Sequence, residues 1–325
     1  MLIIIFLCIC ILYMLFFTND NFTDTNINNN INNNINNNIN NNNKYFNSLI
    51  IYCYLESEST KKNLNFFINK GVFNDDKYLY IFLINDNKCS CIFPDYKNII
   101  IINRNENNND LFTYKTYIES LTASFFDDFS YFYFINSSCI GPFMPTICKN
   151  NWIDMMNDFL IEYTMIGPII EIPPDNRGFS GLNIDNNKNI PFIHSYMFGF
   201  NKTGFIIFKD VLNKYCTTSK IDAVIITERV ITSSILINNG KIKCLLAKFK
   251  NINLNNPDEW LSYKHNRPNK SSCYEIPTNY FGIDVNPFEI IFVKNIRNAN
   301  ETRAIENAGI SQILTDQITN YNNWL

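Results

Sequence analysis

Polar side chains follow one strongly apolar segment of the chain. Tyr131–Asn136 is an aromatic and β-branched run that predicts a buried strand, and Ser137 and Ser138 extend the polar group that Asn136 begins. The Gly-Pro pair at 141–142 prevents the strand from continuing. Because open α/β sheets bind ligands at the carboxyl ends of their strands, this pattern indicates a binding edge. A core strand that ends in an ordinary turn is the alternative.

Two titratable residues have a sequence setting that suits acid–base chemistry. Glu228 lies in an apolar helical segment, where burial would raise its pKa and suit it to act as a general base on a hydroxyl. The alternative is a partly exposed Glu228 paired with Arg229 or another cation. His194 follows a Gly-, Asn- and Asp-rich stretch at 175–189, whose composition suits a loop that closes over a substrate. A core histidine bonded to the backbone is the alternative.

These residues require a scaffold of strands and helices. Apolar strands alternate with helical segments, which predicts βαβ units and a mostly parallel sheet. The predicted strands are 48–55, 78–84, 98–102, 131–136 and 241–248. The predicted helices are 60–70, 111–126, 152–163, 205–216 and 222–238. We therefore expect a single α/β domain over residues 46–300 and a C-terminal helical segment over 301–325.

The N-terminal region has the composition of a membrane anchor and a stalk. Leu2–Phe17 is apolar and uncharged, slightly shorter than the roughly 20 residues that span a bilayer. We interpret residues 1–18 as an uncleaved signal-anchor, with cleavage or an interfacial anchor as alternatives. The Asn-rich residues 19–45 predict a disordered stalk. Together they predict a single-pass type II membrane protein of the secretory pathway, or its viral or cell-surface equivalent.

Composition excludes several functional classes. Of 325 residues, 46% are hydrophobic and 18% charged, with a net charge of −3 and no basic stripe, so we expect no nucleic-acid partner. The chain lacks the Gly-rich phosphate loops and the serine-hydrolase elbow. It has only two histidines, which excludes a His-rich metal site. Eight cysteines lie beyond the apolar run and permit disulfides in a lumenal protein, and sequons begin, among other places, at Asn21, Asn201, Asn269 and Asn300.

Five blocks, in chain order, carry a resemblance to one family. They resemble the motifs NLEFFIRHGV, LNSSVRGPFLP, HVQSMVF, GEIGLSRAILDAGY and HPYETVFVKTNR of a group of glycosyltransferases related to the rhamnan-synthesis F proteins. The matching residues are Asn63–Val72, Phe134–Pro145, Pro191–Phe198, Thr227–Gly240 and Asn286–Arg297. Asp110–Tyr114 stands where the family has DFGAY. The resemblance covers nearly all of residues 48–298, although the Gln of the third block is absent.

The resemblance implies a GT-A-like nucleotide-sugar-binding domain that transfers a sugar to a glycan or glycoprotein acceptor. It implies Glu228 and His194 as catalytic residues, and Ser195 and Glu289 as acceptor contacts. Glu289 lies in a predicted apolar strand, and we expect Lys294 or Arg297 to pair with it. The implied donor-binding residues are Asp110, Tyr114, Asn136, Ser137, Ser138, Gly141, Lys294 and Arg297. For Asp110, which heads a predicted helix, helix capping is the default interpretation and nucleotide contact is the alternative.

The expected metal motif is absent from the polar strand end. Such folds usually have Asp-x-Asp where this chain has Asn136, Ser137 and Ser138, and a hard-cation site normally needs a carboxylate or two. We therefore expect a metal-independent enzyme with no cofactor, although Mn²⁺ or Mg²⁺ held elsewhere is the alternative. Lys294 and Arg297 would then stabilise the leaving diphosphate. A catalytically inactive, lectin-like glycan-binding module is the rival function.

Overall fold

The computed structural model describes residues 46–106, 108–145, 147–171, 191–254, 256, 259, 280 and 285–294. Its strands are β1 (Ser48–Tyr54), β2 (Tyr78–Ile84), β3 (Ile99–Asn103), β4 (Tyr131–Asn136), β5 (Cys139–Ile140), β6 (Met165–Gly167), β7 (Ile170–Glu171), β8 (Phe192–Ile193), β9 (Met197–Asn201), β10 (Ile242–Cys244) and β11 (Val293–Lys294). Its α-helices are α1 (Glu58–Gly71), α2 (Asp110–Ser120), α3 (Trp152–Leu160), α4 (Lys202–Tyr215), α5 (Lys220–Asp222), α6 (Glu228–Ile237) and α7 (Pro287–Ile290). A π-helical segment, Ala223–Thr227, joins α5 to α6.

Seven strands form one mixed central sheet in the order β10-β6-β9-β4-β1-β2-β3. All neighbours in the sheet are parallel except at β9, which runs antiparallel to both β4 and β6. The chain builds outward from β1 through β2 to β3 and then returns to place β4 on the other side of β1. The strand order therefore reverses between β1 and β4, where open α/β sheets form their ligand crevice.

Helices cover both faces of the sheet. Along β4, Phe132 and Phe134 face α4, where Phe132 stacks on Phe205 with ring centroids 3.9 Å apart. Tyr133 points to the opposite face and contacts Trp152 of α3. Because successive side chains of a strand alternate between faces, one aromatic strand supplies the core on both sides. The result is a three-layer α/β/α architecture, compatible with a Rossmann-like fold.

The sequence predicted most of these elements, with errors at their ends. The predictions for β1, β2, β3 and β4 are confirmed within one residue. The predicted helix over 111–126 was too long: α2 ends at Ser120, whose hydroxyl donates to the Tyr117 carbonyl at 2.7 Å, and a 3₁₀ turn follows. The predicted strand over 241–248 shrinks to β10 because a 3₁₀ turn, Ala247–Phe249, follows it.

Asparagine side chains decide where several helices begin. Asn201 caps α4 by accepting a hydrogen bond from the Gly204 backbone amide at 3.0 Å, so the helix starts earlier than the predicted 205. The same amide side chain donates to the carbonyls of Leu160 and Tyr163. Asn109 and Asn151 cap α2 and α3 in the same way. The Asn201 side chain is therefore occupied by hydrogen bonds within the fold, which argues against glycosylation at this sequon in the native protein.

Strand β9 was missed by the sequence patterns, and it makes the sheet mixed. Its Gly199 lies against the ring of Tyr133, where an added Cβ would come within 2.5 Å of the Tyr133 side chain. The glycine allows β9 to run close beside β4, opposite Tyr133 in the antiparallel register. The Met-Phe-Gly-Phe-Asn segment has no turn signal to separate it from the block before it. Only pairing with β4 identifies it as a strand.

Several predictions concern residues that the structure does not describe. These are the signal-anchor at 1–18, the stalk at 19–45, the loop at 175–189, Arg297 and the C-terminal segment at 301–325, all of which lie outside the described residues. Among the residues described, no helix has the length and apolar character to cross a bilayer. The seven cysteines in that part of the chain are free thiols, and four of them, Cys53, Cys139, Cys216 and Cys244, are buried.

Candidate functional site

Asn136 stands at the carboxyl end of β4, next to the reversal of strand order. Its amide donates a hydrogen bond to the Asp110 carboxylate. Its Oδ1 atom accepts two hydrogen bonds from Ser138, from the backbone amide at 3.0 Å and from the hydroxyl. The predicted polar strand end is therefore an ordered cluster of Asp110, Asn136 and Ser138, which we call the strand-end cluster.

Asp110 comes to this cluster from the first turn of α2. The neighbouring Asn109 caps the helix by accepting from the Phe112 backbone amide at 2.9 Å. The capping interpretation for Asp110 is therefore wrong, and its carboxylate contacts Asn136 across the sheet edge. A carboxylate in the first turn of a helix is also favoured by the helix dipole.

Ser137 contributes its backbone to this edge. The residue is 7% exposed, and its backbone amide donates to the Cys53 carbonyl at 3.0 Å. Its own carbonyl accepts from Asn63 of α1 at 2.8 Å. Asn63 is fully buried, and its hydrogen bond holds the turn after β4 in place. Sequence reasoning placed Asn63 within a family block but did not assign it this function.

Gly141 and Tyr114 are both packed closely against other parts of the chain. A Cβ on Gly141 would come within 2.5 Å of the Ile291 carbonyl oxygen, and its φ of +155° disfavours other residues. Tyr114 is fully buried, with its ring 5.1 Å from that of Phe134. Burial raises the pKa of Tyr114 well above its ordinary value. We therefore assign Gly141 to close backbone packing and Tyr114 to the core, and donor contact by either residue stays a prediction.

His194 lies in the short connection between β8 and β9. Its Nε2 atom is 3.0 Å from a carboxylate oxygen of Glu171, which ends β7. Its ring stacks on Phe192, with centroids 5.6 Å apart and planes 5° apart. Burial lowers the pKa of His194, but the Glu171 hydrogen bond and the charges of Glu228 and Glu171 outweigh burial and raise the pKa above its ordinary value. The backbone-bonded alternative for His194 is wrong, because its partner is a carboxylate.

Glu228 begins α6 directly after the π-helical segment. It is 7% exposed, and its Oε1 atom accepts a hydrogen bond from the Ser195 backbone amide. Arg229, the pairing partner considered for it, places its guanidinium 5.0 Å from the centre of the Phe192 ring. π-Helical turns are frequent at functional sites. We call Glu171, His194 and Glu228 the acid–base cluster, with Ser195 half-buried at its side.

The two clusters meet at one edge of the sheet. The Asn136 backbone amide donates to the carbonyl of Tyr196 at 2.9 Å, two residues beyond His194. Strand β11 adds Lys294, which is paired in register with Cys139, and its charge acts to lower the pKa of His194. The structure thus brings Asp110, Asn136, Ser138, His194, Ser195, Glu228 and Lys294 to one region. The other diphosphate candidate, Arg297, lies outside the described residues.

Glu289 belongs to a different environment from the predicted one. It lies in the short helix α7, not in a strand. One carboxylate oxygen accepts from the Tyr280 hydroxyl at 2.6 Å and from the Ala247 backbone amide. A proline in the first turn and the Asn286 cap favour helix over strand at this position. The expected pairing of Glu289 with Lys294 is thus replaced by contacts with neutral donors.

Glu171 is the residue of this site that the sequence patterns missed. It is a single acidic residue within an otherwise apolar and proline-containing stretch, Gly167–Pro174, and this isolated charge was a usable signal.

The described part of the chain contains no group of three or more His, Cys, Asp or Glu side chains that could hold a metal ion. No protein-family model matches the chain, and no curated protein matches it.

Proposed function

We propose that this protein is a glycosyltransferase that moves a sugar from a nucleotide-sugar donor to a glycan or glycoprotein acceptor. One observation carries the proposal: the strand-end cluster ends β4, next to the reversal of strand order between β1 and β4, and the acid–base cluster lies beside it on the β9 side. That location is the ligand crevice of open α/β sheets. The GT-A-like resemblance agrees with this placement and is part of the same proposal. The N-terminal apolar segment would hold the domain on a membrane of the secretory pathway.

In this proposal the donor nucleotide lies over the strand-end cluster. Asp110 and Ser138 offer polar atoms there, and the hydrogen bonds of Asn136 and the buried contact of Ser137 keep the backbone in place. The sugar diphosphate extends towards Lys294, whose ammonium group would stabilise the negative charge of the leaving diphosphate. Arg297 would add a second positive charge. No metal is required in this arrangement.

Glu228 acts as the general base of the proposed reaction. Its Oε1 atom is held by the Ser195 amide, so Oε2 is the oxygen that would accept the proton of the acceptor hydroxyl. The hydroxyl oxygen then forms the new bond to the sugar, while the bond from the sugar to the diphosphate breaks and its electron pair goes to the diphosphate. Ser195 would contact the acceptor. His194 would bind the departing phosphate oxygens.

A donor-binding and turnover experiment tests the proposal. The full-length chain is screened by thermal shift against UDP-, GDP-, dTDP- and CMP-sugars, with and without Mn²⁺. A ligand at 100 times its dissociation constant adds about 2.7 kcal/mol of stability, so binding is readily detected. We expect stabilisation by one nucleotide class without added metal, and slow hydrolysis of that donor. A requirement for Mn²⁺ would overturn the metal-independent mechanism.

A glycan-binding module without catalysis is the second candidate. The observation that favours it is the internal satisfaction of the strand-end cluster, since Asn136 already uses its amide and its oxygen on Asp110 and Ser138. A module that binds glycans without catalysis needs only a strand end held in shape by such internal hydrogen bonds. The absence of any donor binding or hydrolysis, together with stabilisation by oligosaccharides in the same assay, would support this candidate against the transferase.

A further inference from the structure

Glu171 and His194 form a buried pair that the proposed mechanism does not yet use. Their side chains are 12% and 11% exposed, and the Glu171 Oε2 atom lies 3.0 Å from the His194 Nε2 atom. Side chains this buried are costly to charge unless each charge has a partner. The pair therefore fixes the orientation of the histidine ring as well as its charge.

The contact determines which nitrogen of His194 is left for a ligand. Because the carboxylate is an acceptor, Nε2 carries a proton in both charge states of the ring. A ligand would then meet Nδ1, which donates a hydrogen bond only when the ring is an imidazolium. Phe192 stacks on the ring and Tyr196 packs edge-on against it, with centroids 5.6 and 6.0 Å away. These two rings restrict rotation of the imidazole away from Glu171.

The charges around His194 come from four residues on three elements. Glu171 on β7 and Glu228 on α6 favour the imidazolium, whereas Lys294 on β11 opposes it. Arg229, also on α6, lies over the face of Phe192, and its positive charge interacts with those of Glu171 and Glu228. The two carboxylates outweigh the lysine, since the net effect is a raised pKa of His194.

We propose, on the premise of the transferase function, that Glu171 is a positioning residue that holds His194 with Nε2–H on its carboxylate and Nδ1–H directed to the phosphate groups of the donor. The histidine then acts together with Lys294 as an anion-binding pair. Glu171 itself makes no contact with the substrate. Its contribution is the charge and the orientation of the ring.

Titration of the histidines in the full-length chain tests this proposal. The protein contains two histidines, His194 and His265, so selective isotope labelling gives two resolvable NMR titrations. In Glu171→Gln the hydrogen-bond acceptor remains and the charge is lost. We expect the titration of His194 to move to lower pH, while that of His265 stays as in the wild type. Glu162→Gln, which changes an exposed carboxylate paired with Lys241, is the matched control.

Binding of inorganic pyrophosphate supplies the second readout. At pH 7.5 we expect Glu171→Gln to weaken pyrophosphate binding about tenfold. Lowering the pH below the His194 titration midpoint measured in that variant should restore binding, because the imidazolium then forms without the carboxylate. Glu171→Asp should keep part of the wild-type affinity. A structural role alone would give a loss that does not recover below that midpoint.

Two results would overturn the proposal. One is a His194 titration that does not move in Glu171→Gln. The other is a moved titration with unchanged pyrophosphate affinity, since Nδ1–H would then have no anion to bind. Failure of the transferase function appears separately, as no donor turnover by the wild-type chain. In that case a moved titration and pH-dependent pyrophosphate binding would still support the role of Glu171 in an anion-binding site.

Discussion

The strand-end cluster and the acid–base cluster lie side by side but contain different chemical groups. The first joins one carboxylate to neutral amide and hydroxyl groups, and Asp110, Asn136 and Ser138 are each partly exposed. The second places two carboxylates around a buried histidine. Neutral hydrogen bonds hold a surface in a defined shape, whereas buried charges make proton affinity sensitive to small changes. The comparison suggests that the strand-end cluster recognises a ligand and that the acid–base cluster transfers protons.

Removal of an aromatic ring from the core of β4, the strand that carries the strand-end cluster, should have the largest effect. Phe134 is fully buried and packs against Tyr114 on one side and Phe208, 4.7 Å away, on the other. We expect Phe134→Ala to lower the free energy of unfolding by about 3–5 kcal/mol, because the lost ring leaves a cavity. Urea denaturation measures this loss. The exposed Ile161→Ala should stay within about 0.5 kcal/mol, and a similarly small loss at Phe134 would contradict its assignment to the packed core.

Glu228→Gln should separate nucleotide binding, which we expect it to preserve, from proton transfer, which we expect it to impair. The amide oxygen can still accept from the Ser195 backbone amide, so the fold and nucleotide binding are preserved. We expect donor turnover to fall about 10²–10⁴-fold, the usual contribution of a general base. Steady-state kinetics of donor hydrolysis measures the change, with Glu162→Gln as control. An unchanged rate would remove Glu228 from the mechanism.

Asn136→Asp would make the strand-end cluster resemble the acid–base cluster. The new carboxylate would face that of Asp110, replacing an amide–carboxylate hydrogen bond by repulsion between like charges. We expect a loss of about 1–3 kcal/mol of stability in the absence of divalent ions. Paired carboxylates suit hard cations, so Mn²⁺ should restore part of this loss. Thermal unfolding with EDTA or Mn²⁺ checks the prediction, and a variant indifferent to Mn²⁺ would show that the two carboxylates do not share a site.

The pH dependence of stability should show the smallest effect, and it should come from the acid–base cluster. Because the fold raises the pKa of His194, the native state holds its proton more tightly than the unfolded state does. This stabilisation is complete below the unfolded pKa, about 6.5, and is lost as pH rises through the raised folded pKa. Urea midpoints measured from pH 6 to pH 9 should therefore fall less in His194→Gln than in the wild type. Equal slopes in both proteins would contradict the raised pKa.

The sequence by itself determined three of the interior strands, β1, β2 and β4, and the polar residues that end β4. β1, β2 and β4 are long apolar runs that can be nothing but buried, and the residues Asn136–Ser138 end the last of them. Local chemistry also fixed the helix starts, since Asn109, Asn151 and Asn201 act through bonds within three residues. These features depend on neighbours in the chain, and for that reason a sequence pattern can predict them.

Only the tertiary structure decided which polar residues meet. The pairing of β9 with β4 carries His194 to the side of Asn136, and the π-helical turn sets Glu228 against Ser195. Glu171 reaches His194 across 23 residues of chain. Contacts between residues this distant in the chain depend on strand order and helix registry, which periodicity does not encode. The same reason explains why Tyr114 and Glu289, promising by position, proved to belong to the core and to a separate helical turn.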